Sequence, residues 1–137
     1  MTDLEKMKRW LDLCPYLQAD ALYTDTTLAV PANAGLYPMG QEILRQKEDV
    51  LGIRKADCRD TFLLRCVLPE GEKAAQLLMK IQNWVFSQNA RGITPGFGSR
   101  ETVRAEKGRL EKATQVGTAL YVLTLTAEFE KEYEGEE

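Results

Sequence analysis

EKAAQLLMKIQNWVFSQNA, residues 72–90, is the stretch on which the reading of the fold turns. Ala74, Leu77, Leu78, Ile81, Trp84, Val85 and Gln88 recur at helical spacing and gather on one stripe, while Lys73, Lys80 and Asn83 lie nearer the opposite face. A stripe of this width has to be buried against another layer, and the segments on both sides read as strands. The spacing therefore predicts a main helix laid across a sheet, with Trp84 in the core and Gly92 as its C-terminal stop.

Upstream, RDTFLLRCVLPEG at 59–71 places Phe62, Leu64, Cys66 and Leu68 on one face of a strand. Its neighbour QEILRQKEDVLGI, 41–53, alternates poorly, and a pair of strands turning between Gly52 and Asp60 is the simplest account. TDTTLAV at 24–30 is rich in β-branched residues and reads as another strand. PANAGLYPMG at 31–40 holds two prolines, two glycines and an asparagine, and reads as a loop. At the start of the chain Leu4, Met7, Leu11 and Cys14 share one helical face; Thr2 and Glu5 fit a capping box and Pro15 ends the helix, which is expected over 3–14.

Downstream, ITPGFGSRE at 93–101 is turn-rich. TVRAEKGRLEKA at 102–113 is polar on both faces and reads as an edge strand or an exposed arm. From 119 to 129 Ala119, Tyr121, Leu123, Leu125, Ala127 and Phe129 alternate with a second set, as in a strand lining a core, and EKEYEGEE at 130–137 reads as a frayed acidic tail. The expected architecture is one α+β domain over residues 1–137. It comprises a mixed or antiparallel sheet of four to five strands, an N-terminal helix and one main helix.

Composition narrows the function. Among 137 residues, 44% are hydrophobic and 28% charged, near globular averages, so a folded protein is expected. No signal-peptide pattern opens the chain, and Arg65 and the threonines after 120 break up any run long enough to span a bilayer. Cys14, Cys58 and Cys66 form neither a disulfide framework nor a zinc spacing, and read as reduced, buried thiols. The net charge of −3 provides no global attraction for nucleic acid, although a local basic patch is compatible with it.

There is no histidine, so the commonest acid, base and metal ligand is missing. Glu42, Glu48, Asp49, Asp57 and Asp60 fall in segments that read as exposed turns and strand ends, where solvation explains them. The glycines of GITPGFG could cradle an anion, but no Lys-Ser/Thr pair follows them into a helix as a Walker loop requires, and a plain connector explains them as well. No catalytic, cofactor-binding or metal-ligating residue is assigned, and the chain reads as a structural protein rather than an enzyme. Candidate contact residues are the aromatics Trp10, Tyr37 and Phe97, Pro95 of the same loop, and the bases Arg100, Arg104, Lys107 and Arg109 of the polar segment.

Taken in order, the N-terminal helix, LYPMGQEILRQKEDVLGI (36–53), AAQLLMKIQNWV (74–85), ITPGFG (93–98) and the closing GTALYVLTLTAEFEKEYE resemble the minor capsid or tail terminator proteins of tailed phages and prophages of Gram-positive bacteria. That resemblance implies a ring, typically a hexamer, which caps the tail tube and joins it to the head. Its partners would be further copies of itself, the tail tube protein and a head completion protein, with DNA passing through the lumen without specific binding. Its place would be the virion tail, reached from the host cytoplasm during assembly. Two alternatives fit the same size and charge: a head completion or tail tube component, and a small prophage-encoded regulator that binds a host protein.

Overall fold

The computed structural model describes residues 2–16, 22–24, 34–69, 72–106, 108–113 and 118–133. The element order is α1 (Asp3–Leu11), β1 (Leu22–Thr24), β2 (Ala34–Glu48), β3 (Arg54–Pro69), α2 (Glu72–Ala90), β4 (Ser99–Ala105), β5 (Arg109–Ala113) and β6 (Thr118–Tyr133). These elements form an α+β fold with one sheet in the order β1-β2-β3-β6-β4, and β5 also pairs with β6. All pairings are antiparallel except the short β1–β2 contact.

The sheet is built on β6, because its alternation supplies the floor of the core. Leu123, Leu125, Ala127 and Phe129 are buried beside Cys58, Phe62, Leu64 and Cys66 of β3. Both helices cover this face: Met7, Leu11 and Cys14 from the α1 segment, and Ala74, Leu78, Ile81 and Val85 from α2. A fully buried aliphatic side chain of this kind contributes about 1.5–3 kcal/mol. Trp10 closes the seam between the helices, its ring centroid 4.8 Å from that of Trp84 and its Nε1–H donating to the Ile93 carbonyl at 3.0 Å.

The N-terminal helix ends at Leu11, three residues short of the expected bound, and Cys14 reaches the core from the turn that follows. Its cap is half of the expected box: Thr2 Oγ1 accepts from the Glu5 N–H at 3.2 Å, whereas the Glu5 carboxylate takes the Thr2 hydroxyl. Gly92 ends α2 with φ +74°, as its position predicts.

Three expectations are corrected. Residues 34–40, read as a loop, are the first half of β2. The strand tolerates Pro38 because β1 covers its outer side only as far as Leu36, and the register slips between Pro38 and Gly40, where Gly40 has φ +104°. The β2–β3 turn falls at 49–53, earlier than expected. There the Asp49 carboxylate accepts from the Leu51 and Ile53 N–H groups, and Gly52 supplies φ +84°. Finally, Glu130 to Tyr133, read as part of a frayed tail, continue β6 and pair with Asp57 to Arg54. Of the 24–30 strand only Thr24 is among the described residues.

Candidate assembly surfaces

The polar segment 101–112 is not a free arm. β4, up to Ala105, and β5, from Arg109, both pair with the edge of β6 that β3 leaves open. Gly108 belongs there because a Cβ would press into the Leu78 side chain of α2. Helix α2 then blocks the outer edge of β4. Asn89 donates to the Val103 carbonyl and accepts from the Val103 N–H at 2.7 Å, and Gln82 donates to the Ala105 carbonyl at 3.1 Å. Two amide side chains thus stand where a further strand would bind, which protects an edge that would otherwise recruit other chains.

Between α2 and β4 lies a groove of about 700 Å³, lined by Gln82, Val85, Phe86 and Asn89 on one wall and by Thr102 to Ala105 on the other. Phe86 stands 76% exposed at its rim, and Met79, two helical turns earlier on the same face, is 61% exposed. Among the described residues that line it, Arg104 is the one charged side chain.

The end of the sheet at the β2–β3 turn carries a second apolar surface. β2, β3 and β6 are 15, 16 and 16 residues long, well beyond the ~5–6 of an average strand. Their ends run past the helices as a three-stranded ribbon. At its tip Val50 is fully exposed and Leu51 81% exposed, and Met39, Ile43 and Leu44 lie exposed along β2.

Away from the helices the same ribbon is laced by ion pairs. Lys47 reaches Glu130 at 2.7 Å and Asp57 at 3.4 Å; Arg59 bridges Glu42 at 3.2 Å and Glu128 at 3.5 Å; Arg104 meets Glu128 at 3.2 Å. The Lys47 ammonium, helped by Lys55 and Arg100, holds the Glu130 carboxyl below the usual range, and hydrogen bonding to Glu130 raises Lys47 in turn. Signs alternate from strand to strand, so neighbours are matched within the chain.

The expected contact residues separate into three groups. Arg104 and Arg109 are exposed on the β4–β5 edge, and Arg104 reaches the groove. Arg100, also exposed, has φ 53° at the register slip of β4 and lines a cleft of about 350 Å³ with Asp57, Glu128 and Glu130. Tyr37 and Pro95 are half-buried, Tyr37 under the Arg65 guanidinium at 5.2 Å on the sheet face away from the helices. Phe97 and Trp10 are corrections: Phe97 stacks between Phe62 and Phe129 at 6.0 and 5.4 Å and is 8% exposed, and Trp10 is 3% exposed. Lys107 lies outside the described residues.

Sequence reasoning missed the tip and the groove. Val50, Leu51 and Ile53 were visible as an apolar turn, a signal that turn chemistry alone does not explain. Phe86 falls just off the α2 stripe, and its exposure was legible from helical phase.

Among the described residues no cluster of three or more Cys, Asp or Glu could hold a metal ion, and no helix is long and apolar enough to cross a membrane. Comparison with protein-family models and with curated proteins returned no match for this chain.

Proposed function

We propose that this chain is a structural protein of a tailed phage or prophage that assembles head to tail into a ring, capping the tail tube and joining it to the head. One observation carries the assembly half of the reading: a small chain presents two dissimilar apolar surfaces, the ribbon tip and the α2–β4 groove, at opposite flanks of one sheet. Unlike surfaces on one subunit are what a heterologous contact requires, and a heterologous contact that closes makes a ring. Exposed apolar patches of this kind mark interaction sites rather than catalytic ones. The phage half rests on the ordered resemblance of the segments at 36–53, 74–85, 93–98 and 117–134. A net charge of −3 is compatible with DNA passing through such a ring without adhering.

The test has two steps. Light scattering across a concentration series, with negative-stain images of the same samples, is expected to show closed rings, alone or after addition of purified tail tubes. Tubes mixed with the protein are expected to carry density at one end only and to stop elongating. Tubes that elongate unchanged, with no protein at their ends, would overturn the capping role.

A further inference from the structure

We infer that Asp60 of β3 and Asp3 of α1 form a proton latch: one proton held between the two carboxyls docks the first turn of the helix on the sheet, and its loss to solvent frees that turn. The inference holds whether or not the chain forms a ring. Asp60 stands on the helix-covered face of β3 between Cys58 and Phe62, opposite Ala127 of β6 and Gln41 of β2, and is 3% exposed. Its two oxygens differ in their partners. Oδ1 accepts from the Gln41 amide at 2.7 Å, whereas Oδ2 is buried with no donor among the described residues. The side chain that α1 brings within hydrogen-bonding reach of Asp60 is another carboxyl, that of Asp3. Two ionised carboxylates have no hydrogen to place between them and repel, whereas a carboxylic acid donates its O–H to a carboxylate. With Oδ1 taken by an amide donor, Oδ2 is the oxygen left to carry that proton.

The two carboxyls have unequal surroundings. Asp3 is half-buried in the first turn of α1, behind the Thr2 cap, where the helix dipole favours a negative charge. Asp60 lies among apolar side chains, so it is the member that stays neutral and donates. Burial and then Asp3 push it up to about 7, against Gln41 and Lys131. The charged and titratable groups around it are Asp3 from α1, Lys131 from β6 and Cys58 from its own strand, and β2 presents the Gln41 amide. Burial raises Cys58, which therefore stays a thiol at neutral pH. Met7, Trp10 and Leu11 anchor the later part of α1 in the core, while Leu4 near its start is only partly buried, so the latch acts where apolar anchorage is least. The released turn exposes Asp60 as an ordinary carboxyl of pKa about 3.9, ionised above pH 5. Opening thus gives up one proton and becomes about tenfold easier per pH unit from 5 towards 7, levelling beyond. The chain has no histidine, so no side chain of ordinary pKa titrates in that window.

Native-state hydrogen exchange on the full-length chain tests the latch, each rate divided by the intrinsic rate at that pH. The reporters are the amides of Lys6 and Met7, whose carbonyl partners are Thr2 and Asp3. Their protection is expected to fall at least about tenfold between pH 5 and pH 7, to level off above, and to stay below that of Leu123 to Ala127 in β6. In Asp60→Asn the new amide donates to Asp3 at every pH, and protection of Lys6 and Met7 is expected to be flat. In Asp3→Asn the new amide can donate to an ionised Oδ2, so the pH slope is expected to drop by at least about half. A wild-type profile that changes less than about twofold between pH 5 and pH 7 overturns the latch, as does a slope that survives in Asp60→Asn. A slope unchanged in Asp3→Asn would show that Asp60 titrates without help from α1. Equal protection of α1 and β6 at every pH would show that the helix leaves only when the whole fold opens. Either of these last two results also discards the latch.

Discussion

Asp60 sits in the apolar face of β3, two residues from Cys58 and Phe62, and is only 3% exposed. Gln41 donates to its Oδ1 at 2.7 Å, while Oδ2 has no donor among the described residues. Burial, and then the nearby Asp3 carboxyl, push its pKa up to about 7, against the smaller pull of Gln41 and Lys131. A carboxyl raised in the folded state keeps its proton where the unfolded chain has lost it, so this group's contribution to stability is greatest below the ordinary Asp range. That contribution declines as pH rises towards 7 and is level beyond. Glu130 has the opposite sign: its lowered pKa adds stability above the ordinary Glu range, lost as pH falls through the folded value. Asp60→Asn keeps an acceptor for Gln41 and removes the ionisation. It is expected to raise stability at pH 8 by roughly 1–3 kcal/mol and to have little effect at pH 3, measured by urea denaturation. Equal effects at both pH values would show that the carboxyl is not protonated in the fold.

At the scale of elements, Phe97 and Asn89 distinguish core from surface. Phe97 anchors the 93–98 loop between two strands, so Phe97→Ala is expected to cost about 3–5 kcal/mol in thermal or urea unfolding. A residue serving only a partner would cost little. Asn89→Ala leaves the Val103 N–H and carbonyl without their partners and is expected to cost about 1–3 kcal/mol, while opening the β4 edge to aggregation seen by light scattering. Gly98 is fixed by close approach, because a Cβ there would collide with the Glu130 carbonyl oxygen.

These elements also show what the sequence made legible. Helix α2 and strand β6 could be read because each has one strongly apolar face with unbroken periodicity. The start of β2 could not, since Gly35, Pro38 and Gly40 are turn residues by local chemistry and become strand residues only through pairing with β3. Trp10 and Phe97 looked available because each stands in polar or glycine-rich company, and what buries them, Trp84, Phe62 and Phe129, lies far off in the chain. Asp60 is the same case: nothing within its own strand predicts burial of its carboxylate beneath α1. Of the candidate contact surface, the bases were legible as exposed charges. The tip and groove depend on strand length and helix placement, which are properties of the assembled fold.

For the whole molecule, the decisive feature is that β6 is shared. One of its edges holds β3 from end to end and the other holds β4 and β5, so the core and the projecting ribbon hang on a single strand. Its last four described residues, Glu130 to Tyr133, pair with Arg54 to Asp57 and, through Glu130, tie down Lys47 and Lys55. Removing residues 130–137 therefore detaches the third strand from the ribbon but leaves the helix-covered part of the sheet paired. Hydrogen exchange is expected to separate the two regions. Amides of 45–57 are expected to exchange at least about tenfold faster in the truncated chain, which corresponds to about 1.4 kcal/mol of lost local stability. Amides of Phe62 to Cys66 are expected to slow or quicken far less, because their partners on β6 remain. A two-stranded ribbon is marginal in water, so the tip would lose its fixed direction, and self-association is expected to weaken along with protection at 45–57. If exchange quickens there while association is unchanged, assembly does not depend on a rigid ribbon.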